Sequence, residues 1–297
     1  MNRAVRQTAA RACAEEAGVQ GLDVVVLGGA AVDQVAEVSQ LPQKDSVVLA
    51  WSQHTFAGGS AANVAVGLAR LGCRTGFVGK LGDDEHGRWL AQVFASEGVD
   101  TRALIVERGA ATASCFIAVD GQGERMIVAF PGAALIETLG ELDADYVAQG
   151  RVLYVGPAYP DVAAAAMVAM HQKRGTVVYA PSGAWGPDGL AGIQHLLQHA
   201  DVLLVSRTEA AALTGLSSPA QAVWALHDAG SPSQSRCRAA GAPVVVQTVG
   251  SGGALVLAQG IIHEVPAFPV SGLRDTTGAG DAFAAGLIAA FLQPPTP

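Results

Sequence analysis

The run Asp275-Thr276-Thr277-Gly278-Ala279-Gly280-Asp281 sets small residues between two carboxylates, directly before the apolar stretch Ala282 to Leu292. Small residues at a helix N-terminus leave backbone N–H groups bare and aimed at one spot, and the helix dipole adds positive potential there. That arrangement suits the negative charge spread over a transferring phosphoryl group. A carboxylate directly after such a turn is costly beside phosphate unless it has a task. Asp281 can take the proton of a hydroxyl as that hydroxyl attacks phosphorus. The competing reading is an ordinary glycine-rich cap with an Asp in the first turn. A second run, Gly58-Gly59-Ser60-Ala61-Ala62-Asn63, also has the composition of a binding loop. Its glycines permit close backbone approach to a ligand, and Asn63 offers both a donor and an acceptor. The spacing G-x-G-x-x-G is missing, and no G-x-x-x-x-G-K-[ST] occurs, which excludes a Walker-type phosphate loop. Taken alone, the second run reads equally well as a plain helix entry.

The elements that must position these runs alternate regularly. Val24 to Leu27, ending in Gly28-Gly29, is a β-branched run bounded by glycine and reads as a strand buried on both faces. Ser60 can cap a helix that carries Val64, Leu68 and Leu71 on one face and stops at Gly72. Gly76 to Val78 reads as a strand and Asp84 to Glu97 as an amphipathic helix. Further strands are expected at Val152–Val155, Val177–Tyr179, Val202–Val205 and Val244–Thr248. The helices between them are Asp161–Lys173, Ile193–Gln198, Thr208–Leu213 and Pro219–Asp228. A hairpin at Leu255–Leu257 and Ile261–Val265 follows, and the last helix runs from Ala279 to Leu292. Strand–helix alternation predicts a doubly wound α/β domain around a mostly parallel sheet, with ligands at the carboxyl ends of the strands. Cys115 to Val128, with the turn Asp120-Gly121-Gln122-Gly123, carries a hairpin pattern. Together with the extended segments of Val35 to Ser52 it predicts a small antiparallel sheet. Ser231 to Gly241 reads as a surface insertion.

The 297-residue chain carries a formal net charge of −8 and has no basic stripe, which argues against nucleic acid as a partner. Its 36 glycines have no period. Cys13, Cys73, Cys115 and Cys237 lack metal-ligand spacing and read as free thiols in a reducing compartment. No apolar run is long enough to span a membrane. Residues 1–21 carry Arg3, Arg6 and Arg11 and then Glu15 and Glu16, without the apolar core of a secretory signal, so they read as a leader and the expected location is the cytoplasm.

Together the two runs resemble the paired signatures of the ribokinase-like (PfkB) carbohydrate kinase family. The first covers Gly58 to Gly72 with Gly79 and Gly82-Asp83-Asp84, and the second covers Asp275 to Asp281 with Ala282-Phe283 and Gly286. The resemblance implies a kinase domain over 22–297, with lid strands from about 34–55 and 103–130 that cover the sugar and offer a homodimer contact. It implies Asp281 as catalytic base, with Gly278, Ala279 and Gly280 holding the transferred phosphoryl. Asp33, expected just after the first strand, would bind substrate hydroxyls together with Gly58, Gly59 and Asn63. Ser206, Thr248, Gly250 and Gly253 would contact ATP, Glu209 would hold Mg²⁺ through water, and Asp275 with Thr277 would bind a monovalent cation such as K⁺. The chain departs from the family at Ser206, where Asn is usual, and at Ala180, where Asp is common. The family's usual segment beyond the catalytic helix, with a wall of the adenine pocket and some cation ligands, is expected to be absent. The implied activity is ATP-dependent phosphorylation of a sugar hydroxyl, of terminal CH₂OH type. Two alternatives stay open: a nucleoside acceptor stacked on Trp51, Phe56, Phe116 or Phe130, and a sugar-binding protein with impaired catalysis.

Overall fold

Runs of Val and Leu between glycines form the strands, and Ala-rich segments with one apolar stripe form the helices. The computed structural model describes residues 21–182, 189–230, 243–271 and 276–293. In chain order the elements begin with β1 (Leu22–Leu27), β2 (Ala31–Val38), β3 (Ala50–Gly58), α1 (Ser60–Arg70), β4 (Thr75–Gly82), α2 (Glu85–Glu97) and β5 (Leu104–Glu107). Then come β6 (Ser114–Asp120), β7 (Arg125–Phe130), α3 (Ala144–Val147), β8 (Gly150–Val155), α4 (Pro160–Gln172), β9 (Thr176–Tyr179) and α5 (Gly189–Leu197). The chain closes with β10 (Val202–Ser206), α6 (Arg207–Thr214), α7 (Pro219–Ala229), β11 (Val244–Thr248), β12 (Ala254–Ala258), β13 (Ile261–Val265) and α8 (Ala279–Leu292). The expected leader, the insertion after Ala229, and Cys13, Cys237 and Asp275 fall in whole or large part outside the described residues.

Nine strands form one sheet in the order β13-β12-β11-β10-β9-β8-β1-β4-β5, parallel except for the β12 and β13 hairpin. The strand order reverses at β1, which lies between β4 and β8. Such a switch point opens a crevice at the carboxyl ends of the strands. Helices cover both faces. Val25, Leu27, Leu153 and Val155 pack with α3 to α7, while Val24, Val26, Val152 and Tyr154 pack with α1, α2 and α8. The predicted doubly wound architecture is therefore the observed one.

β2, β3, β6 and β7 form a separate sheet of four strands in the order β3-β2-β6-β7. Two boundaries differ from the sequence reading. Leu104–Glu107 pairs with β4 and so belongs to the large sheet. Asp33 lies inside β2, paired with Phe56 and Cys115, because the chain re-enters extended structure three residues after Gly28. Two polar anchors fix the root of the small sheet. Asp84 caps α2 by accepting from Gly87 N at 2.8 Å and also accepts from Thr112 N at 2.9 Å and Thr112 Oγ1 at 2.6 Å. Lys80 is buried and meets Glu141 at 2.8 Å, Glu107 at 3.4 Å and Glu137 at 3.5 Å, which ties the chain returning from β7 to β4.

Candidate active site

Two helix N-termini meet at the switch point. α1 begins after Gly59, whose φ of 93° is open to glycine, and no side chain caps it. The expected cap, Ser60, is instead the first helical residue, and its hydroxyl points to the partner helix. Ser60 Oγ donates to Asp281 Oδ1 at 2.7 Å, and Asn63 Nδ2 donates to Asp281 Oδ2 at 2.8 Å. Asp281 thus sits in the first turn of α8 with one neutral donor on each oxygen. A carboxylate has further lone pairs, so each oxygen can still accept from an incoming hydroxyl.

The approach of the helices follows from residue size. Asn63 and Gly67 are one turn apart on α1, and so are Asp281 and Ala285 on α8. A Cβ built on Gly67 would stand 2.9 Å from the Ala285 Cβ, so these helices pack as closely as they do only because Gly67 lacks a side chain. The first turn of α1 presses on the strand ends in the same way: a Cβ on Gly28 would lie 2.6 Å from the Ala61 Cβ. Small residues therefore bring Asp281 to the switch point.

α8 starts at Gly278, whose φ is 74°, and it too lacks a side-chain cap. Ala282 N donates to Gly278 O at 2.9 Å as the first intrahelical bond. Ala279 differs from the sequence expectation, because its N–H donates to Thr276 O at 3.1 Å, closing the turn before the helix. The amides of Gly278, Gly280 and Asp281 have no backbone acceptor among the described residues and are bare donors of this turn. Thr277 is exposed just before it.

Asp33 joins the same locality from the small sheet. Its carboxylate lies against the Cα of Gly58, where any side chain would collide with it. A Cβ on Gly59 would lie 2.7 Å from Gly29 O. Burial pushes the Asp33 carboxyl above its ordinary range, and the Cys115 thiol beside it offsets part of that rise. The structure therefore gathers Asp33, Gly58, Gly59, Asn63, Gly278, Gly280 and Asp281 around one crevice. Of the aromatic residues named for a nucleobase, Phe56 alone shares the sheet face of Asp33. Phe116 and Phe130 pair with Gln34 and Ser114 on the opposite face, and Trp51 donates Nε1–H to Glu37 at 3.0 Å.

The residues assigned to nucleotide lie at the neighbouring strand ends. Ser206 and Thr248 are paired across β10 and β11. Gly250 and Gly253 make the turn into β12 with φ of 63° and 93°, and a Cβ on Gly253 would lie 2.6 Å from Ala267 N. Ser206 and Glu209 form a reciprocal cap on α6: Ser206 N donates to Glu209 Oε2 at 2.7 Å and Glu209 N donates to Ser206 Oγ at 3.2 Å. That cap explains how Ser is accommodated where Asn was expected, and it leaves Glu209 Oε1 for another partner. Ala180 packs into the apolar layer under α8. Among the described residues no group of three His, Cys, Asp or Glu could hold a metal by itself. A Mg²⁺ bound mainly through phosphate oxygens and water needs only one or two carboxylates, which a single Glu209 oxygen fits.

This crevice, with a carboxylate between two uncapped helix ends on a ribokinase-like fold, defines a class of phosphotransferase, and comparison with known proteins agrees. Residues 22–295 match the pfkB family carbohydrate kinase model, and the chain belongs to that family. Fructokinase-1 of Oryza sativa subsp. japonica is 32% identical over 256 residues, covering 80% of this chain and 75% of the relative. Fructokinase of Klebsiella pneumoniae is 33% identical over 245 residues, covering 78% and 76%. The structure of Arabidopsis thaliana ribokinase complexed with ribose and ATP superposes with a TM-score of 0.79 at 25% identity, covering 92% of this chain and 86% of that one. Among the described residues no helix is long and apolar enough to cross a membrane.

Proposed function

We propose that this chain transfers the γ-phosphoryl group of ATP to a hydroxyl of a small sugar, with Asp281 as the general base. The observation that carries this reading is the placement of Asp281 beside the bare amides of α8 and against Ser60 and Asn63 of α1. The sugar hydroxyl attacks γ-phosphorus and gives its proton to Asp281. The new O–P bond forms as the bond to the β,γ-bridging oxygen breaks, and ADP leaves with that electron pair. Gly278, Gly280 and Asp281 N–H groups stabilise charge on the transferring group. Asp33 and the backbone at Gly58 and Gly59 orient the sugar, and Thr248, Gly250 and Gly253 support the nucleotide. Mg²⁺, when bound, neutralises phosphate charge; Glu209 would hold it through water. Thr277 and Asp275 would supply a K⁺ site beside the turn.

The small sheet serves as a lid that excludes water, the competing acceptor. Its exposed Val128 and Phe130, on the sheet face opposite Asp33, offer a surface for a second copy of the chain, which sedimentation of the wild type against a Phe130→Ser variant would test. The relatives' names favour ketohexose and pentose acceptors over nucleosides, and the scattered lid aromatics agree with that.

The decisive experiment is Asp281→Asn assayed with ATP, Mg²⁺ and a panel of fructose, ribose, sugar phosphates and nucleosides. Loss of a general base lowers kcat by about 10²- to 10⁴-fold on the sugar that the wild type accepts. An unchanged kcat removes Asp281 from this role. Sugar binding in calorimetry without nucleotide binding or turnover favours the sugar-binding protein instead.

A further inference from the structure

Lys80 of β4 is a buried charge that the phosphoryl transfer does not use. Its side chain is 2% exposed, and its ammonium lies 2.8 Å from Glu141, 3.4 Å from Glu107 and 3.5 Å from Glu137. Burial alone would lower the ammonium, but Glu141 first, and then Glu137 and Glu107, outweigh it, so Lys80 stays charged. A buried ion pair is a poor source of net stability, because desolvation offsets most of the attraction. What three carboxylates around one ammonium can supply is a fixed position. They come from both legs of the β6–β7 hairpin. Glu107 ends β5, before the chain enters β6, and Glu137 and Glu141 follow β7 on the way to α3. The legs are also bonded to each other: Ala133 N donates to Ala111 O at 2.8 Å, and Ala113 N donates to Ala133 O at 3.3 Å. Lys80 N donates to Ala134 O at 3.1 Å. The second oxygen of Glu141 accepts from Glu137 N at 2.8 Å and Thr138 N at 3.3 Å, which stiffens the returning leg.

We propose that Lys80 is a positioning residue for the sugar: its ammonium clamps both legs of the β6–β7 hairpin and thereby sets where β2 holds Asp33. The inference rests on Asp33 being the carboxylate that orients the sugar. The mechanical link runs through backbone pairing. β6 pairs with β2 in parallel from Val32 to Val38, with Cys115 opposite Asp33, so a shift of the hairpin is carried into β2. A second contact reaches the glycine pair. Ala134 and Leu135 of the returning leg lie against Gly29, where a Cβ would stand 3.2 Å from Leu135 Cδ2 and 3.7 Å from Ala134 Cβ. Gly29 O in turn lies against Gly59, 2.7 Å from where its Cβ would be. The residues assigned to nucleotide, on β10 and β11 and in the turn into β12, stand beyond β1, β8 and β9 from Lys80. The clamp therefore acts on the sugar and not on ATP.

The test uses the full chain with the sugar that the wild type phosphorylates. Lys80→Met keeps most of the side chain and removes the charge. KM for the sugar should rise about tenfold, while KM for ATP changes less than about twofold. Lys80→Arg restores a cation and should bring KM for the sugar back to within about threefold of the wild type. Should Lys80→Met fail to fold, Glu137→Gln, at a half-exposed member of the cluster, loosens one leg alone. It should raise KM for the sugar about threefold, again without a change for ATP. An unchanged KM for the sugar, or an equal rise in both KM values, overturns the proposal. A wild type that phosphorylates no acceptor, or an Asp33→Asn variant with an unchanged KM for the sugar, overturns the reading of the site instead. The clamp is then still read by hydrogen exchange. Backbone amides of β2 and β6 should exchange faster in the Lys80 or Glu137 variant, while those of β10 and β11 keep their rates. Equal effects on both pairs of strands, or none on either, overturn it.

Discussion

The helices whose N-caps are described start in three ways. α2, α3 and α6 begin behind Asp84, Asp143 and Ser206, whose side chains accept from the amides of the first turn. α1 and α8 begin behind Gly59 and Gly278, both at positive φ and with no side-chain cap. A side-chain cap is worth roughly 1 kcal/mol of stability. α4 and α7 also lack a side-chain cap, but each opens with a proline, which has no amide to leave bare, whereas the two helices that meet at the crevice leave amides for an anion. Glycine-led, uncapped ends at positive φ thus distinguish the two helices of the crevice.

The contrast can be broken at either end. Asp281→Asn carries the largest expected effect, as given above. Next, Gly278→Ser should lower kcat on the order of 10²-fold, because a side chain at a φ of 74° distorts the turn that aims the phosphoryl donors. Steady-state kinetics at saturating ATP check it, and near-normal turnover would mean that the turn is not part of the catalytic machinery. Gly67→Val forces α1 and α8 apart at the Ala285 contact, one turn below the Asn63–Asp281 bond. An expected loss of about tenfold in kcat, without any change to a ligand-touching residue, measures how tightly helix packing sets the base.

A scaffold cap should behave in the opposite way. Asp84→Ala removes the α2 cap and two bonds to Thr112, for about 2 kcal/mol of stability and a lower melting temperature. Activity per folded molecule should be retained. Burial alone would raise the Asp84 carboxyl, but its bonds from Thr112 and Gly87 outweigh that and hold it below its ordinary value of 3.8. A depressed carboxyl stabilises the fold above its unfolded value and loses that contribution as pH falls through the folded one. The stability gap between wild type and Asp84→Ala should therefore narrow on acidification below about pH 3.8. A gap that stays constant down to pH 2 argues that the carboxylate's charge plays no part.

Much of the site was legible in residue types. The last helix begins and ends where its small residues and apolar run place it, at Ala279 and Leu292, and the Gly250 to Gly253 turn falls after its strand. Asp33 was legible as a substrate carboxylate candidate but not as a member of β2, because Gly28-Gly29 reads as the end of extended structure and the partner strands that restore it are distant in sequence. Ser60 reads as a cap, and only the approach of α8 gives its hydroxyl a better acceptor. The pairing of Lys80 with Glu107, Glu137 and Glu141 has no local signal at all, since its members are separated by up to 61 residues.

The sequence by itself determined the doubly wound alternation, the two glycine-rich helix entries and the identity of Asp281 as the carboxylate in the second of them. These are local properties, set by backbone freedom at glycine, side-chain periodicity and the dipole of a helix end. The tertiary structure decided which amides stay bare and which donors hold the carboxylate. Those depend on the Gly67–Ala285 contact between α1 and α8, whose separation in sequence exceeds 200 residues and whose closeness is set by the size of two facing side chains.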